Sequence, residues 1–288
     1  MDVKTITVVG AGTMGRGIAY ASALGGYRTV LEDVSAEMLE QGAAYIRQSL
    51  EEGVARGKVT AEQKDRAIGN LVTSRSVNEA CREADLVIEA VPEEMEIKLE
   101  LFTIFDKFAK PQAILASNTS SLSITEMAAI TFRPHDCVGM HFFNPVPKMK
   151  LLEIVRALET SDATVEACAE VGRRMGKEVV IARESPGFIT SRINAMIGNE
   201  AFYMLQEGIA SASDIDKALK LGLNHPMGPF ELVDLVGLDV RLNILEYLYR
   251  TLGEKYRPCP LIAQYVKAGR LGRKSGRGVY EYGEVPKK

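Results

Sequence analysis

Short β-branched runs alternate with amphipathic stretches through roughly the first 180 residues, a spacing that predicts strands separated by helices. The runs are Thr5-Gly10, Arg28-Glu32, Leu71-Thr73, Asp85-Ala90, Ile114-Ser117, Cys137-Met140, Leu151-Val155 and Val179-Ile181. Such alternation implies parallel βαβ units and an α/β, doubly wound, mostly parallel sheet. Between the runs, Thr60-x-x-Gln63, Ser76-x-x-Glu79 and Ser123-x-x-Glu126 each fit a capping box, in which two side chains satisfy orphan N–H groups reciprocally. Residues 35–70 are too long for one crossover helix and predict a protruding helical hairpin around Gly53-Gly57. After Glu184-Ser185-Pro186-Gly187 the β-like runs stop, and Ile189-Glu207, Ser213-Leu221, Leu238-Leu252 and Leu261-Ala268 show helical spacing. The expected organisation is therefore a sheet domain over 1–184, with the hairpin inserted, and an all-helical domain over 185–288.

Composition narrows the class. With 46% hydrophobic residues in 288, a packed core is affordable, and a net charge of −3 gives no general attraction to nucleic acid. The start at Met1 runs straight into a β-like segment without a signal-peptide pattern, and no apolar run of membrane-spanning length occurs, so no membrane association and a cytoplasmic location are expected. Cys81, Cys137, Cys168 and Cys259 are far apart with no ligand spacing, which predicts reduced, buried thiols and no metal.

Gly10-x-Gly12-x-x-Gly15 follows the apolar run Ile6-Thr7-Val8-Val9 and opens a helical stretch, Met14-Leu24. The first glycine permits a tight turn, the second lets a pyrophosphate approach the backbone, and the third lets helix and strand pack closely. Phosphate would sit on the helix N-terminus. Asp33, about 20 residues on at the end of the second strand, completes the Rossmann-type dinucleotide fingerprint. Its carboxylate would accept from a ribose diol and repel a 2′-phosphate, which favours NAD; Arg28 is the residue that counts against that choice, and a plain helix-capping aspartate is the competing reading.

His141 is one of only three histidines and stands in His141-Phe142-Phe143-Asn144-Pro145, with Glu153 twelve residues further on. Imidazole titrates nearest neutrality, and a carboxylate on one ring nitrogen leaves the other to act as a base. On spacing alone, Glu153 reads rather as a strand-end surface charge.

These motifs, with Val87-Ile88-Glu89-Ala90-Val91-Pro92-Glu93 and Ala116-Ser117-Asn118-Thr119-Ser120-Ser121, resemble the L-3-hydroxyacyl-CoA dehydrogenases, and in length the bacterial 3-hydroxybutyryl-CoA dehydrogenases. Ser185-Pro186-Gly187-Phe188, Pro226-Met227-Gly228-Pro229-Phe230-Glu231 and Lys274-Ser275-Gly276 carry the resemblance into the helical half. It implies NAD-dependent interconversion of (S)-3-hydroxyacyl-CoA and 3-oxoacyl-CoA, with the short-chain pair 3-hydroxybutyryl-CoA and acetoacetyl-CoA expected. His141 would be the general base, Glu153 its partner, and Ser120 a catalytic contact to substrate and nicotinamide. Besides Gly10, Gly12, Thr13, Met14, Gly15 and Asp33, the resemblance places Glu93, Lys98, Asn118, Asn144 and Lys274 at the cofactor. Glu93, Lys98 and Lys274 read otherwise as solvated charges, and Asn118 and Asn144 as turn residues.

Ser191 stands where many relatives carry Asn, so the hold on the substrate's hydroxyl or thioester differs there. Ser49, Arg56 and Lys58 on the hairpin correspond to positions that meet the acyl-CoA carrier, against a solvated helix face as the alternative. The resemblance also implies a homodimer through the helical domain. Two rival functions remain at this level: a 3-hydroxy acid or gulonate-type dehydrogenase without CoA, and a non-enzymatic, crystallin-like NAD-binding protein.

Overall fold

A computed structural model describes residues 2–283 and divides the chain into two compact units, Met1–Ser185 and Pro186–Lys288. The first unit holds an eight-stranded sheet: β1 (Thr5–Val9), β2 (Arg28–Glu32), β3 (Leu71–Ser74), β4 (Leu86–Glu89), β5 (Ile114–Ser117), β6 (Cys137–Phe142), β7 (Leu151–Arg156) and β8 (Glu178–Arg183). Their order is β3-β2-β1-β4-β5-β6-β7-β8, the doubly wound arrangement with β1 central. Helices α1 (Thr13–Leu24), α2 (Ala36–Ala55), α3 (Ala61–Gly69), α4 (Val77–Arg82), α5 (Met95–Phe108), α6 (Ile124–Ala129) and α7 (Asp162–Arg174) connect the strands.

Alternate strand side chains enter two apolar layers. Ile6, Val8, Leu31, Ile88 and Ile114 pack with Ile18 of α1 and Leu39 and Ile46 of α2, whereas Val9, Val87 and Leu115 pack with Cys81, Phe102 and Phe105 on the opposite face. A sheet covered on both sides needs near-continuous apolar strands, which is why these runs are legible. The hairpin's inner face joins the first layer through Leu39, Ile46, Leu50, Val59 and Ala67, so it lies on α1 along much of its length rather than standing clear. The Thr60–Gln63 capping box forms in both directions; at Ser76 and Ser123 the hydroxyl accepts from the N–H of Glu79 and Glu126.

One pairing departs from the parallel rule. β6 and β7 are antiparallel because residues 143–150 between them include no crossover helix. β6 also runs two residues past the expected Met140, which carries His141 into the strand.

The second unit comprises α8 (Thr190–Gln206), α9 (Ala212–Gly222), α10 (Pro229–Val236), α11 (Leu238–Leu252) and α12 (Pro260–Lys267) around Phe202, Phe230, Leu245 and Leu248. Helix α10 is not apparent from periodicity, since Pro226-Met227-Gly228-Pro229 reads as a loop. Its first turn is capped from afar: the buried Asp216 of α9 accepts from Phe230 N at 2.8 Å and Glu231 N at 3.1 Å. The four cysteines are buried free thiols; burial pushes Cys81, Cys137 and Cys168 up to about 12. Among the described residues no helix is long and apolar enough to cross a membrane, and no cluster of His, Cys, Asp and Glu could hold a metal.

Candidate active site

The C-terminal ends of β1, β2 and β4 border a cleft of about 690 Å³ that brings together Gly10, Gly12, Thr13, Met14 and Asp33. Gly10 has φ +98°, and a Cβ there would lie 2.8 Å from Ala90 O; one on Gly15 would overlap Gly10 O at 1.7 Å. Both positions therefore require glycine for the strand-to-helix turn itself. Gly12 differs, because a Cβ there meets no protein atom within 4 Å, and no side chain caps α1, whose N-cap residue it is. A glycine with no steric need inside the protein, beside uncapped helix N–H groups, fits a pyrophosphate brought against the backbone.

Asp33 accepts from Ala11 N at 2.8 Å and from Ser35 N at 2.9 Å, one bond to each oxygen. Two of about four lone-pair positions are thus used to fix the carboxylate, and the others suit a ribose diol. Ser35, not Asp33, caps α2. Arg28 begins β2 at the end of the strand away from Asp33, about 16 Å of chain distant at strand rise, so it is not placed beside a 2′-phosphate.

The antiparallel β6–β7 register sets His141 directly opposite Glu153. Their side chains meet with His141 Nδ1 2.7 Å from Glu153 Oε2, and both residues are buried, at 4% and 1% exposure. An ionised carboxylate accepts only, so Nδ1 carries the hydrogen and Nε2 is the basic nitrogen. The Phe143 ring packs on the imidazole at 4.4 Å between centroids. Asn118, after β5, accepts from Phe142 N at 2.9 Å through its side-chain oxygen, which ties the β5–α6 loop to the strand bearing His141 and leaves the amide NH₂ for a ligand.

That loop has a second anchor. Glu93 accepts from the Thr119 hydroxyl and from Ser120 N at 2.9 Å, and Lys98 stands 3.3 Å from Glu93 and 2.8 Å from Glu89. Lys98 and Glu89 are fully enclosed, at 1% and 0% side-chain exposure, so the solvated reading of Lys98 does not hold. Glu89 also accepts from the Ser117 hydroxyl. The signal for Glu89 was a carboxylate inside an otherwise apolar strand run, because such a charge needs a buried partner.

Asn144 is exposed in the 143–150 loop, whose other side faces the hairpin. Here a second cleft, of about 970 Å³, gathers Ser49, Arg56 and Lys58 with Lys148, Lys150 and Lys177. The last three escaped the sequence reading, although Lys148-x-Lys150 was visible. Lys177 is buried, donates to Met149 O at 2.8 Å and to Val146 O, and is pushed down to about 8 by burial. It fastens the loop; Arg56 in turn pairs with Glu52 at 3.3 Å.

Two of the expected site residues belong to the second unit. Ser191 lies in the first turn of α8, just after Phe188, a non-glycine residue at φ +48°. Lys274 pairs with Asp239, at the start of α11, at 2.6 Å.

Known proteins share this organisation. Residues 5–185 match the NAD binding domain of 3-hydroxyacyl-CoA dehydrogenase, and residues 187–282 its C-terminal domain. A probable 3-hydroxybutyryl-CoA dehydrogenase of Bacillus subtilis is 47% identical over 99% of both chains. The 3-hydroxybutyryl-CoA dehydrogenase of Bradyrhizobium diazoefficiens is 46% identical over 97% of this chain and 96% of its own. The crystal structure of (S)-3-hydroxybutyryl-CoA dehydrogenase from Ralstonia eutropha superposes with a TM-score of 0.94 at 43% identity, covering 98% of this chain and all of that one. With the glycine turn, Asp33 and the opposed His141 and Glu153 all in place, the chain belongs to the 3-hydroxyacyl-CoA dehydrogenase family, NAD-dependent oxidoreductases acting on CH–OH groups.

Proposed function

We propose that this enzyme interconverts (S)-3-hydroxybutyryl-CoA and acetoacetyl-CoA, as the names of its relatives suggest, with His141 as general base. The observation that carries the proton-transfer role is the buried 2.7 Å contact between His141 and Glu153. In oxidation, His141 Nε2 takes the proton of the 3-hydroxyl, and the Glu153 carboxylate stabilises the imidazolium that forms. NAD, when bound, supplies the acceptor for the hydride that leaves C3. Ser120 is presented to the substrate on a loop fixed at both ends, by Asn118 to β6 and by Glu93 to Lys98. Glu93 and Lys98 act here as positioning residues, a role supported by the contacts of Glu93 with Ser120 N and with Lys98. Gly10, Gly12, Thr13, Met14, Gly15 and Asp33 would hold the pyrophosphate and adenosine ribose; Asn144 and Lys274 are proposed at the same cofactor, and Ser191 at the substrate.

The basic cleft formed by Arg56, Lys58, Lys148 and Lys150 suits the phosphates of coenzyme A. If the carrier is held there, kcat/KM for 3-hydroxybutyryl-CoA should exceed that for free 3-hydroxybutyrate on the order of a hundredfold, corresponding to ~3 kcal/mol of carrier contacts. Equal turnover of both, followed by NADH absorbance, would reject the CoA reading in favour of a hydroxy acid dehydrogenase.

A cytoplasmic homodimer is the proposed working form. Ile209, Leu221 and Leu223 of the helical unit are 64%, 77% and 65% exposed, and apolar area of that kind is what a second copy covers. Sedimentation velocity should return twice the 31.5 kDa chain mass; a single-chain mass at micromolar concentration would remove the dimer.

A further inference from the structure

Glu32 is the last residue of β2 and is 3% exposed, yet among the described residues it has no ion-pair partner, and its Oε1 is enclosed without a hydrogen bond. Neighbouring strand residues point to opposite faces. Asp33 thus fixes the α1–α2 side of the cleft, while Glu32 belongs to the side formed by Val77 of α4 and Ile97, Leu101 and Ile104 of α5. That side is largely apolar, with Glu32 buried at the strand end and Glu100 as its other carboxylate. Leaving a buried acceptor unpaired is destabilising, and a well-packed strand end gives no reason to do so.

An aromatic ring with hydrogen-bonding edges fits against such a side, and the dinucleotide cleft has one to place there. We propose that Glu32 reads the adenine ring of NAD, its carboxyl accepting a hydrogen bond from the exocyclic amine and donating one to the adjacent ring nitrogen. The inference rests on NAD occupying this cleft. Burial, reinforced by the adjacent Asp33, pushes Glu32 up to about 7, so the protonated carboxyl that can donate is present at neutral pH. The groups near it are Asp33 on its own chain segment, the Cys81 thiol of α4 and Glu100 of α5; among the described residues no Lys, Arg or His lines the cleft to hold Glu32 ionised.

The test compares binding of NAD with that of its 1,N6-ethenoadenine analogue, which blocks both the amine and the ring nitrogen, by calorimetry on wild type, Glu32→Gln and Glu32→Leu. Wild type should prefer NAD about tenfold or more, the effect of one lost polar pairing. Glu32→Leu should lose most of that preference through weaker NAD binding, with the analogue unaffected. Glu32→Gln, whose amide also donates and accepts, should keep it. NAD affinity should fall between pH 6 and 8 in wild type, as the carboxyl ionises and its donor is lost, and stay flat in Glu32→Gln. The same NAD-to-analogue ratio in Glu32→Leu as in wild type would overturn the assignment; failure of wild type to bind NAD at all would instead reject the cofactor reading beneath it. Thermal melts on each variant confirm that the folded protein is being measured.

Discussion

His141→Gln is expected to lower kcat for oxidation of 3-hydroxybutyryl-CoA by about 10²–10⁴-fold, the usual contribution of a positioned general base. Glutamine fills nearly the same space, and its amide can still donate to Glu153, so the buried carboxylate keeps a partner and the strand pair is not disturbed. What disappears is the second nitrogen, the only part of the side chain able to take the hydroxyl proton. NAD affinity and melting temperature should therefore remain near the wild-type values, which separates a chemical defect from an unfolded one. Glu153→Gln should lie between the two, since a neutral partner orients the ring but no longer stabilises the imidazolium. Stopped-flow NADH absorbance checks both variants, and a wild-type rate in His141→Gln would dismiss the base assignment.

The largest stability effect is expected at Lys98→Met, a loss of about 3–5 kcal/mol. Glu89 is fully buried and Lys98 supplies its counter-charge at 2.8 Å; with the ammonium gone, a carboxylate is stranded in the sheet. For a domain of this size that is roughly a 10 °C fall in melting temperature. The double variant Glu89→Gln/Lys98→Met should recover more than Glu89→Gln alone would suggest, because it removes both halves of the pair. Activity carries a second readout: Glu93 also loses Lys98, so Ser120 is held less firmly and kcat should drop even at temperatures where the variant is folded. A melting temperature within about 1 °C of wild type would mean that the enclosed charge is satisfied in some other way.

Both predictions depend on contacts between residues far apart in the chain, which marks the boundary of what could be read from the sequence. The inner strands were visible because a sheet covered on both faces must be apolar there, and Val8 and Val9, or Val87 and Ile88, feed opposite layers with no polar interruption; the largely exposed edge strands β3 and β8 showed only as short β-branched runs. The glycine turn was visible because its demands are local: Gly10 needs a positive φ, and Gly15 must let backbone approach backbone within one loop. Helix α10 was not, because the carboxylate capping it comes from Asp216, fourteen residues before Phe230.

The candidate site divides in the same way. His141, Ser120 and the glycines were named from motifs, each a short run of neighbours along the chain, and Glu153 from the family resemblance those motifs carry. Their partners were not: a strand two residues longer than its apolar run, an antiparallel return, and a buried lysine joining two carboxylates come from pairing and packing. Sequence alone determined the strand set, the glycine turn and the scarce histidine, since these rest on local sterics and on the pattern of apolar positions. Only the tertiary structure decided that Glu153 stands across from His141, that Lys98 is enclosed, and that Glu32 is left unpaired in the cleft. Register and burial are properties of the assembled sheet, and they set which charges meet and which must wait for a ligand.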